Sequence, residues 1–344
     1  TNLVGRAPSG IPKPALPQGE NLVRDYIPVA RISDMLLNPG EQFVYDGEQR
    51  TYPDIKIVYW CGGNPFHHHQ DLNKMVEAWQ KPDTVIVHEA WWNANARHAD
   101  IIFPMATTLE RNDIGVSRTD SYFFAMQKAA EPYGDTKTDY EIFTGLAARL
   151  DCESDYTEGR NAQEWLEHMF DRLRQNAAAL GEEMPSLEEF WERGYHKFSD
   201  PEGAVFMSAF RKDPIRHALG TPSGKIEIFS EKIDGFGYLD CPGHPVWQEP
   251  AEWLGADLVE RFPLHLISNQ PDTRLHSQYD NGGYSQSNKL KGREPATMNP
   301  DDAARRNIED GDAVRLFNDR GACLSVVKLS DGVMPGVIRL PTGA

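Results

Sequence analysis

The sequence predicts an α/β protein in which an open parallel sheet precedes a helical segment and a small C-terminal β-barrel. An apolar run at residues 55–60 ends in a Cys-Gly-Gly-Asn-Pro turn, apolar residues then recur at helical spacing over 72–79, and a second apolar run follows at 84–87. A strand, loop, helix and strand within about thirty-five residues form the βαβ unit of a parallel sheet. Beyond Thr221, short apolar runs separated by turn residues indicate the barrel.

Changes in composition divide the N-terminal half of the chain. Residues 1–50 are rich in Pro and Gly and show one plausible helix, at 29–37, so they predict a connecting segment from a preceding domain that this chain lacks. Residues 51–150 predict an open, Rossmann-like α/β domain. A further strand is expected at 99–104, and a helix at 139–150 is expected to close the domain.

The C-terminal half is predicted to contain a helical part and a β part. Residues 151–217 predict a helical appendage, because Trp165, Met169 and Leu173 share one helical face. Residues 218–344 predict the β-barrel domain, and we expect it to be truncated at its end. Its strands are expected at residues 225–229, 262–267, 313–317, 322–329 and 337–340.

The composition argues against several classes of function. A chain of 344 residues with 40% hydrophobic and 25% charged residues is typical of a soluble protein with two domains. The formal net charge of -17 disfavours nucleic-acid partners, which require clustered Lys and Arg. No run approaches the roughly 18 apolar residues of a membrane span, and residues 1–10 lack the pattern of a leader. We therefore predict neither a nucleic-acid partner nor a membrane span.

The cysteines and histidines do not predict a metal site. Paired spacing, which would indicate zinc, iron-sulfur or disulfide chemistry, is absent among the cysteines at positions 61, 152, 241 and 323. His67, His68 and His69 are consecutive, so their side chains are expected to point in different directions. A loop that packs on a cofactor, or a partly exposed helix start, explains the triplet better. No metal ligand is therefore assigned in this chain.

The first candidate binding segment is the turn Gly62, Gly63, Asn64 and Pro65. It lies between a predicted parallel strand and a helix, where ligands of open α/β sheets bind. Two glycines let the backbone approach a phosphate, and the helix N-terminus supplies amide donors. A plain turn with no ligand explains these residues equally well.

The second candidate segment follows the next strand. His88 and Glu89 would meet the base or ribose of a nucleotide whose phosphates lie over Gly62, because an acidic residue after a second strand commonly binds ribose hydroxyls. A histidine bonded to a loop carbonyl is an equal alternative. The polar residues at 97–100 and 107–113 are explained by helix capping and surface ion pairs.

A third segment is dense in hydrogen-bonding side chains and follows the predicted strand at 262–267. Its amide, hydroxyl and imidazole groups suit a heteroaromatic ligand with many ring nitrogens, although a solvated loop remains an alternative. The candidate binding residues are Ser268, Gln270, Arg274, His276, Ser277 and Gln278.

These segments together resemble the molybdopterin oxidoreductases of the dimethyl sulfoxide reductase family. The resemblance is strongest to the trimethylamine N-oxide, dimethyl sulfoxide and biotin sulfoxide reductases, which are bacterial, and it covers most of the chain. Its specific pieces are residues 62–73, 96–104, 110–114, 274–278 and 299–343.

The resemblance implies a bis(molybdopterin guanine dinucleotide) molybdenum cofactor. In this family the cofactor lies between an α/β domain and a C-terminal double-psi β-barrel. By match of motif, Asn64 would lie near the phosphates, and His88 with Thr108 would approach the guanosine. The pterin side would be lined by Ser268, Gln270, His276, Ser277 and Gln278.

The reaction that the resemblance implies is two-electron oxygen-atom transfer from an S-oxide or N-oxide, with an electron donor protein or reduced cofactor as partner. The residue that ligates molybdenum, a serine in this subfamily, is expected in an N-terminal part that this chain lacks. No catalytic residue is therefore assigned here, and we expect this fragment alone to show no turnover with reduced viologen. The location, periplasm or cytoplasm, is left open.

Two other functions remain as alternatives. A formate dehydrogenase or nitrate reductase of the same family would differ in its molybdenum ligand and would carry an N-terminal Cys cluster, features that lie outside this chain. A non-catalytic nucleotide-binding module would bind without redox activity. A nicotinamide dehydrogenase is disfavoured, because no G-x-G-x-x-G motif follows the strand at 55–60.

Overall fold

The computed structural model describes residues 11, 13–23, 26–116, 121–199 and 206–343. The chain divides into two compact units. The first unit comprises Thr1–Tyr26, Ile86–Trp91 and Ile101–Ile228, and the second unit comprises Ile27–Val85, Trp92–Asp100 and Phe229–Ala344. Residues 1–10, for which the sequence predicts no leader pattern, lie outside the described residues.

The described part of the chain contains short and medium-length α-helices along its whole length. They are α1 Ile32–Leu37, α2 Pro65–His68, α3 Leu72–Ala78, α4 Ala94–Arg97, α5 Asp139–Arg149, α6 Glu153–Thr157, α7 Ala162–Ala178, α8 Leu187–Arg193, α9 Ser208–Lys212, α10 Glu231–Asp234, α11 Gly283–Ser287 and α12 Pro300–Ala304. Short 3-10 turns occupy Val29–Arg31, Thr108–Glu110 and Asp257–Glu260. None of the helices in the described part of the chain is long and apolar enough to cross a membrane.

The strands form four sheets among the described residues. They are β1 Gln42–Tyr45, β2 Glu48–Thr51, β3 Ile57–Cys61, β4 Thr84–Glu89, β5 Ile101–Pro104, β6 Asp113–Val116, β7 Tyr122–Met126, β8 Tyr195–Lys197, β9 His265–Ile267, β10 Pro295–Met298, β11 Ala313–Phe317, β12 Ala322–Leu329 and β13 Val337–Arg339.

The predicted strand, loop, helix and strand at the start of the α/β region are confirmed. Strands β3, β4 and β5 form a sheet in that order, and β4 pairs with β5 in parallel, with His88 opposite Phe103. Helix α3 begins where the Asp71 carboxylate accepts a hydrogen bond from the Lys74 N–H. Its apolar face buries Met75 completely, which explains the helical spacing in the sequence.

The first unit contains an antiparallel sheet that the sequence did not predict. Strand β7 pairs with β6 on one side and with β8 on the other. Some seventy residues of chain separate β7 from β8, so their pairing is long-range. The run Tyr122–Met126 lacks the apolar and polar alternation of a half-exposed strand, which hid it. The predicted helices α7 and α8 pack with this sheet around Phe123, Phe170 and Phe190.

The C-terminal part of the second unit is a mixed sheet with strand order β11-β12-β10-β13-β9. Its parallel pairs are β10 with β12 and β13 with β9, and the other neighbours run antiparallel. Strand β10 is central and was not predicted, because it is short and begins with Pro295. The hydrophobic core of this sheet includes the buried residues Ala296, Met298 and Val327.

Two further expectations need correction. The predicted strand at residues 225–229 is wrong: Ile226 and Ile228 are 67% and 82% exposed, and the Thr221 hydroxyl donates to the Lys225 carbonyl in a turn. The helix predicted at 29–37 is confirmed as a 3-10 turn that continues into α1. That helix was the only element expected in residues 1–50, but the hairpin of β1 and β2 follows it at residues 42–51. Its Asp-Gly turn, with positive φ at Asp46, is a common hairpin signal.

Candidate cofactor site

The turn after β3 forms an open backbone cradle in the second unit. Gly62 and Gly63 have φ of 80° and 76°, a conformation that costs other residues roughly 1–2 kcal/mol. A Cβ built on either glycine would meet no atom within 4 Å. The glycines are therefore required by backbone conformation, and the space beside them is free. We call residues 62–69 the glycine loop.

Asn64 orders the glycine loop and connects it to the third candidate segment. Its side chain is buried, and its Oδ1 accepts a hydrogen bond of 3.1 Å from the Phe66 N–H at the start of α2. Pro65 occupies the first helical position, where its missing N–H is not needed. The Asn64 Nδ2 donates to the Ser277 hydroxyl at 3.4 Å, a long hydrogen bond. Two segments separated by about two hundred residues thus meet in one unit.

The indole of Trp60 holds the carbonyl side of the glycine loop. Its Nε1–H donates to the Gly62 carbonyl at 2.8 Å and to the Gly63 carbonyl at 3.2 Å. The ring packs edge-on against Trp79 and His69, with centroids 5.7 and 6.5 Å apart. The role of Trp60 was not predicted from the sequence.

The histidine triplet lies on and just after α2, and its three rings have different neighbours. The His67 Nδ1 is 3.2 Å from the Asn64 Nδ2, and the His68 ring is 4.5 Å from that of His276. Burial is the main cause that lowers the pKa of His67, His68 and His69 below the usual value. Within the described residues, no group of three His, Cys, Asp or Glu side chains is arranged to hold a metal ion.

Arg274 is the buried centre of the third segment, residues 268–280, which we call the arginine loop. Its guanidinium is fully buried and pairs with the Glu294 carboxylate at 2.8 Å. It also donates to three backbone carbonyls, those of His276 at 2.8 Å, Thr342 at 3.1 Å and Gly343 at 3.0 Å. Its donors are therefore used within the protein, so Arg274 shapes the loop.

The arginine loop is held in a conformation that few residues adopt. His276 has φ of 50°, the left-handed region, although it is not a glycine. A Cβ on Gly343 would lie 2.5 Å from the His276 carbonyl oxygen, so only glycine permits this close approach. The Gln270 amide nitrogen lies 3.1 Å from the nearer nitrogen of the His276 ring. Together these contacts fix where the His276 ring lies.

The other candidate residues of the arginine loop are more exposed. Ser268 follows β9 directly, and Gln278 lies after Ser277 with its N–H bonded to the Leu275 carbonyl. Buried side-chain oxygens without a hydrogen-bond partner lie in or near this loop, on Asn269, Ser285 and Thr342. An unsatisfied buried polar atom costs about 1–3 kcal/mol, so these atoms are expected to have a partner in the working protein.

The remaining candidate residues lie in the first unit. His88 is buried, and its Nδ1 is 2.7 Å from the carboxylate of Asp139 at the start of α5. Glu89 accepts hydrogen bonds from the N–H groups of Ala90 and Trp91. Thr108 is exposed and begins a 3-10 turn. His88 thus has a carboxylate partner that was not predicted from the sequence.

Two family models match the chain. The first is described as molybdopterin oxidoreductase and matches residues 9–149, and the second is described as molydopterin dinucleotide binding domain and matches residues 264–344. The chain belongs to the molybdopterin oxidoreductase family. The first match includes the glycine loop, and the second includes the arginine loop.

Curated relatives of the chain are oxide reductases from bacteria. The chain is 45% identical to a biotin sulfoxide reductase of Cereibacter sphaeroides over 96% of its own length and 44% of that protein. It is 46% identical to a dimethyl sulfoxide/trimethylamine N-oxide reductase of the same organism, over 92% of this chain and 39% of that protein. A trimethylamine-N-oxide reductase of Haemophilus influenzae is 44% identical with the same coverage. The chain therefore spans less than half the length of these relatives.

A solved structure supports the fold. The acetylene hydratase from Pelobacter acetylenicus matches with a TM-score of 0.65 at 20% identity, covering 85% of this chain and 37% of that protein. At this identity the match concerns the fold alone. The expected mixed α/β architecture with a parallel sheet is thus confirmed.

Three contributors to the site were missed by the sequence analysis, and each had a weak signal. Trp60 is an aromatic residue two positions before a double glycine, Asp139 follows Thr138 in a helix-capping pattern, and Glu294 is an acidic residue just before a strand. None of these patterns indicates which distant residue is the partner. Only the folded chain pairs them with Gly62, His88 and Arg274.

Proposed function

We propose that this chain is the part of a bacterial molybdenum oxidoreductase that holds the molybdopterin guanine dinucleotide. In this proposal the whole protein carries the bis(molybdopterin guanine dinucleotide) molybdenum cofactor and reduces S-oxides or N-oxides. The observation that carries the proposal is the contact between the glycine loop and the arginine loop at Asn64 and Ser277. Each loop falls within a family match, one to the oxidoreductase and one to the dinucleotide-binding domain.

The glycine loop fits the phosphate part of such a cofactor. The space beside Gly62 and Gly63 would be filled by a side chain at either position, and the turn leads into α2. A backbone without side chains allows close approach of a diphosphate, whose negative charge backbone N–H groups can bind. The proposed contacts of this loop are Gly62, Gly63, Asn64 and Pro65.

The arginine loop fits the heterocyclic part of the cofactor. Pterin and guanine rings present both donors and acceptors, and the buried unpartnered oxygens of Asn269 and Thr342 are able to accept or exchange such hydrogen bonds. In this proposal Ser268, Gln270, His276, Ser277 and Gln278 line the ring side. Arg274 holds the loop in shape, because its donors already bond to the protein.

In the first unit, His88, Glu89 and Thr108 are the proposed contacts to the guanosine part. The His88 ring is oriented by Asp139, so its second nitrogen has a fixed direction. We propose that residues 51–150 and 218–344 are the two cofactor-binding domains, that 151–217 is an appendage, and that the C-terminal sheet belongs to a double-psi β-barrel.

When bound, the cofactor supplies the two-electron chemistry that removes an oxygen atom from an S-oxide or N-oxide. The residues of the two loops would bind the dinucleotide and orient it. The names of the relatives favour oxide reduction over formate or nitrate chemistry. We further propose a separate electron donor, either a protein or a reduced cofactor, and a periplasmic or cytoplasmic site of action.

Metal and pterin analysis of the whole protein tests the proposal. We expect molybdenum and two guanine-bearing pterins per protein, together with oxidation of reduced viologen by dimethyl sulfoxide, trimethylamine N-oxide or biotin sulfoxide. Formate and nitrate serve as control substrates. A protein that contains neither molybdenum nor pterin, or that acts on nitrate but on none of the oxides, would contradict the proposal.

A further inference from the structure

The turn at Gly62 and Gly63 can present two different faces to a ligand. Each glycine tolerates a wide range of φ and ψ, so the peptide groups on either side can rotate at little cost. One orientation presents N–H groups, which attract a phosphate, and the other presents carbonyl oxygens, which repel it. Some group must select between them.

We propose that Trp60 is the positioning residue that makes this selection. Its Nε1–H is bonded to the carbonyl oxygens of both Gly62 and Gly63, at 2.8 and 3.2 Å, so both oxygens face the indole. This inference rests on the proposed function, because the ligand that benefits is the diphosphate of a guanine dinucleotide.

The direction of the N–H groups follows from peptide geometry. No cis peptide bond occurs in the described chain, and in a trans peptide the C=O and the next N–H point in opposite directions. The N–H groups of Gly63 and Asn64 therefore point away from Trp60. Neither group donates a hydrogen bond to another described residue. Two adjacent free donors on one side of a glycine turn are suited to an anion.

The indole is itself held in place. Its ring meets the edge of Trp79, and Trp79 in turn meets the edge of Phe66 with centroids 5.7 Å apart. Trp79 and Phe66 are 2% and 3% exposed, so the support is part of the core. The core thus fixes the position of the Trp60 indole, and the indole fixes the carbonyl groups of Gly62 and Gly63 through its hydrogen bonds.

Trp79 also provides a matched control. Its indole nitrogen is buried and has no hydrogen-bond partner, whereas that of Trp60 has two. Trp60→Phe and Trp79→Phe therefore remove the same atoms from neighbouring rings, and only the first removes hydrogen bonds to the glycine turn. A difference between the two variants reports on those bonds.

The experiment uses the whole protein, prepared free of cofactor, and GDP as a probe, with guanosine as the uncharged control ligand. We expect Trp60→Phe to weaken GDP binding about fivefold, the value for loss of roughly one neutral hydrogen bond, without changing guanosine binding. Trp79→Phe is expected to leave the ratio of GDP to guanosine affinity unchanged. The cofactor content of each purified variant is measured as a second readout.

The outcomes separate this inference from the proposed function. Equal ratios of GDP to guanosine affinity in the wild type and Trp60→Phe would overturn the role of Trp60, and so would a wild type that binds GDP no better than guanosine. If Trp60→Phe does not fold, replacement of Trp60 by benzothienylalanine keeps the ring size and removes only the N–H. The proposed function fails on a different result, the absence of molybdenum and pterin from the wild-type protein.

Discussion

The glycine loop and the arginine loop are shaped by opposite means. The glycine loop reaches its conformation because Gly62 and Gly63 lack side chains. Its restraints are neutral hydrogen bonds, which the Trp60 indole donates and the Asn64 side chain accepts. The arginine loop contains a strained non-glycine residue, His276, and its restraint is a buried charge on Arg274.

The difference shows how each loop depends on the rest of the chain. Glycine adopts positive φ at little cost, so the conformation of the glycine loop depends mainly on Gly62 and Gly63 themselves. A buried guanidinium is stable only while its partners are in place, and three partners of Arg274 lie outside the arginine loop, at Glu294, Thr342 and Gly343. The arginine loop therefore depends on residues far along the chain. We expect substitutions in this loop to lower the stability of the protein more than substitutions in the glycine loop.

Loss of the Arg274 guanidinium is expected to have the largest effect. Arg274→Ala leaves the Glu294 carboxylate and three backbone carbonyls without their donor, and breaking a buried ion pair in this way costs about 3–5 kcal/mol. Chemical denaturation of the chain, with hydrogen exchange to locate the change in the second unit, measures the effect.

The control for this prediction is Arg261→Ala. Arg261 also pairs with a carboxylate, Asp319, but both side chains are more than half exposed, so its loss is expected to change stability little. Equal effects of the two substitutions would show that the burial of Arg274 adds nothing to the stability of the arginine loop.

A substitution in the glycine loop is expected to have a smaller effect. Gly63→Ala meets no atom but places a side chain at φ of 76°, which costs about 1–2 kcal/mol. Gly220→Ala is the matched control, because Gly220 also has no atom within 4 Å and its φ is not positive. Its expected effect is zero or a slight stabilisation. The denaturation midpoints of both variants measure these effects. A Gly63→Ala variant as stable as the unchanged chain would show that the positive φ is not required.

The sequence predicted the local parts of the fold well. The helices α3, α5, α7 and α8 and the strands of the α/β sheet were found because spacing and capping residues act within one element. Strands β7 and β10 were missed, since each depends on partners far along the chain and neither shows alternation. The hairpin at Asp46 was missed although its Asp-Gly signal was present in the sequence.

The candidate site was predictable as a set of segments and not as a set of contacts. Turn residues and hydrogen-bonding residues indicated the glycine loop and the arginine loop separately. Their meeting at Asn64 and Ser277, the burial of Arg274 and the indole bonds of Trp60 arise from tertiary packing. The periodicity of a sequence does not predict a hydrogen bond between residues more than two hundred positions apart.

The smallest of these effects concerns pH and the glycine loop. Burial, aided by the positive charges of His68, Arg274 and His276, lowers the pKa of His67, and the Asp280 carboxylate opposes the shift. Because the folded pKa lies below the value of 6.5 for a free histidine, the unfolded chain binds the proton more readily. The contribution of His67 to stability is therefore full above pH 6.5 and is lost as the pH falls from 6.5 through the folded pKa.

His67→Gln is expected to flatten this loss when the free energy of unfolding is measured from pH 8 to pH 5. His68→Gln is the matched comparison: burial also lowers its pKa, but its side chain is exposed whereas that of His67 is half-buried. We expect the flattening to be weaker for His68→Gln, because a charged imidazole that contacts water loses less solvation on folding. A steeper loss of stability in His67→Gln than in the unchanged chain would contradict the assignment. It would mean that the proton on His67 stabilises the glycine loop, as a neighbouring carboxylate such as Asp280 would cause if it outweighed burial.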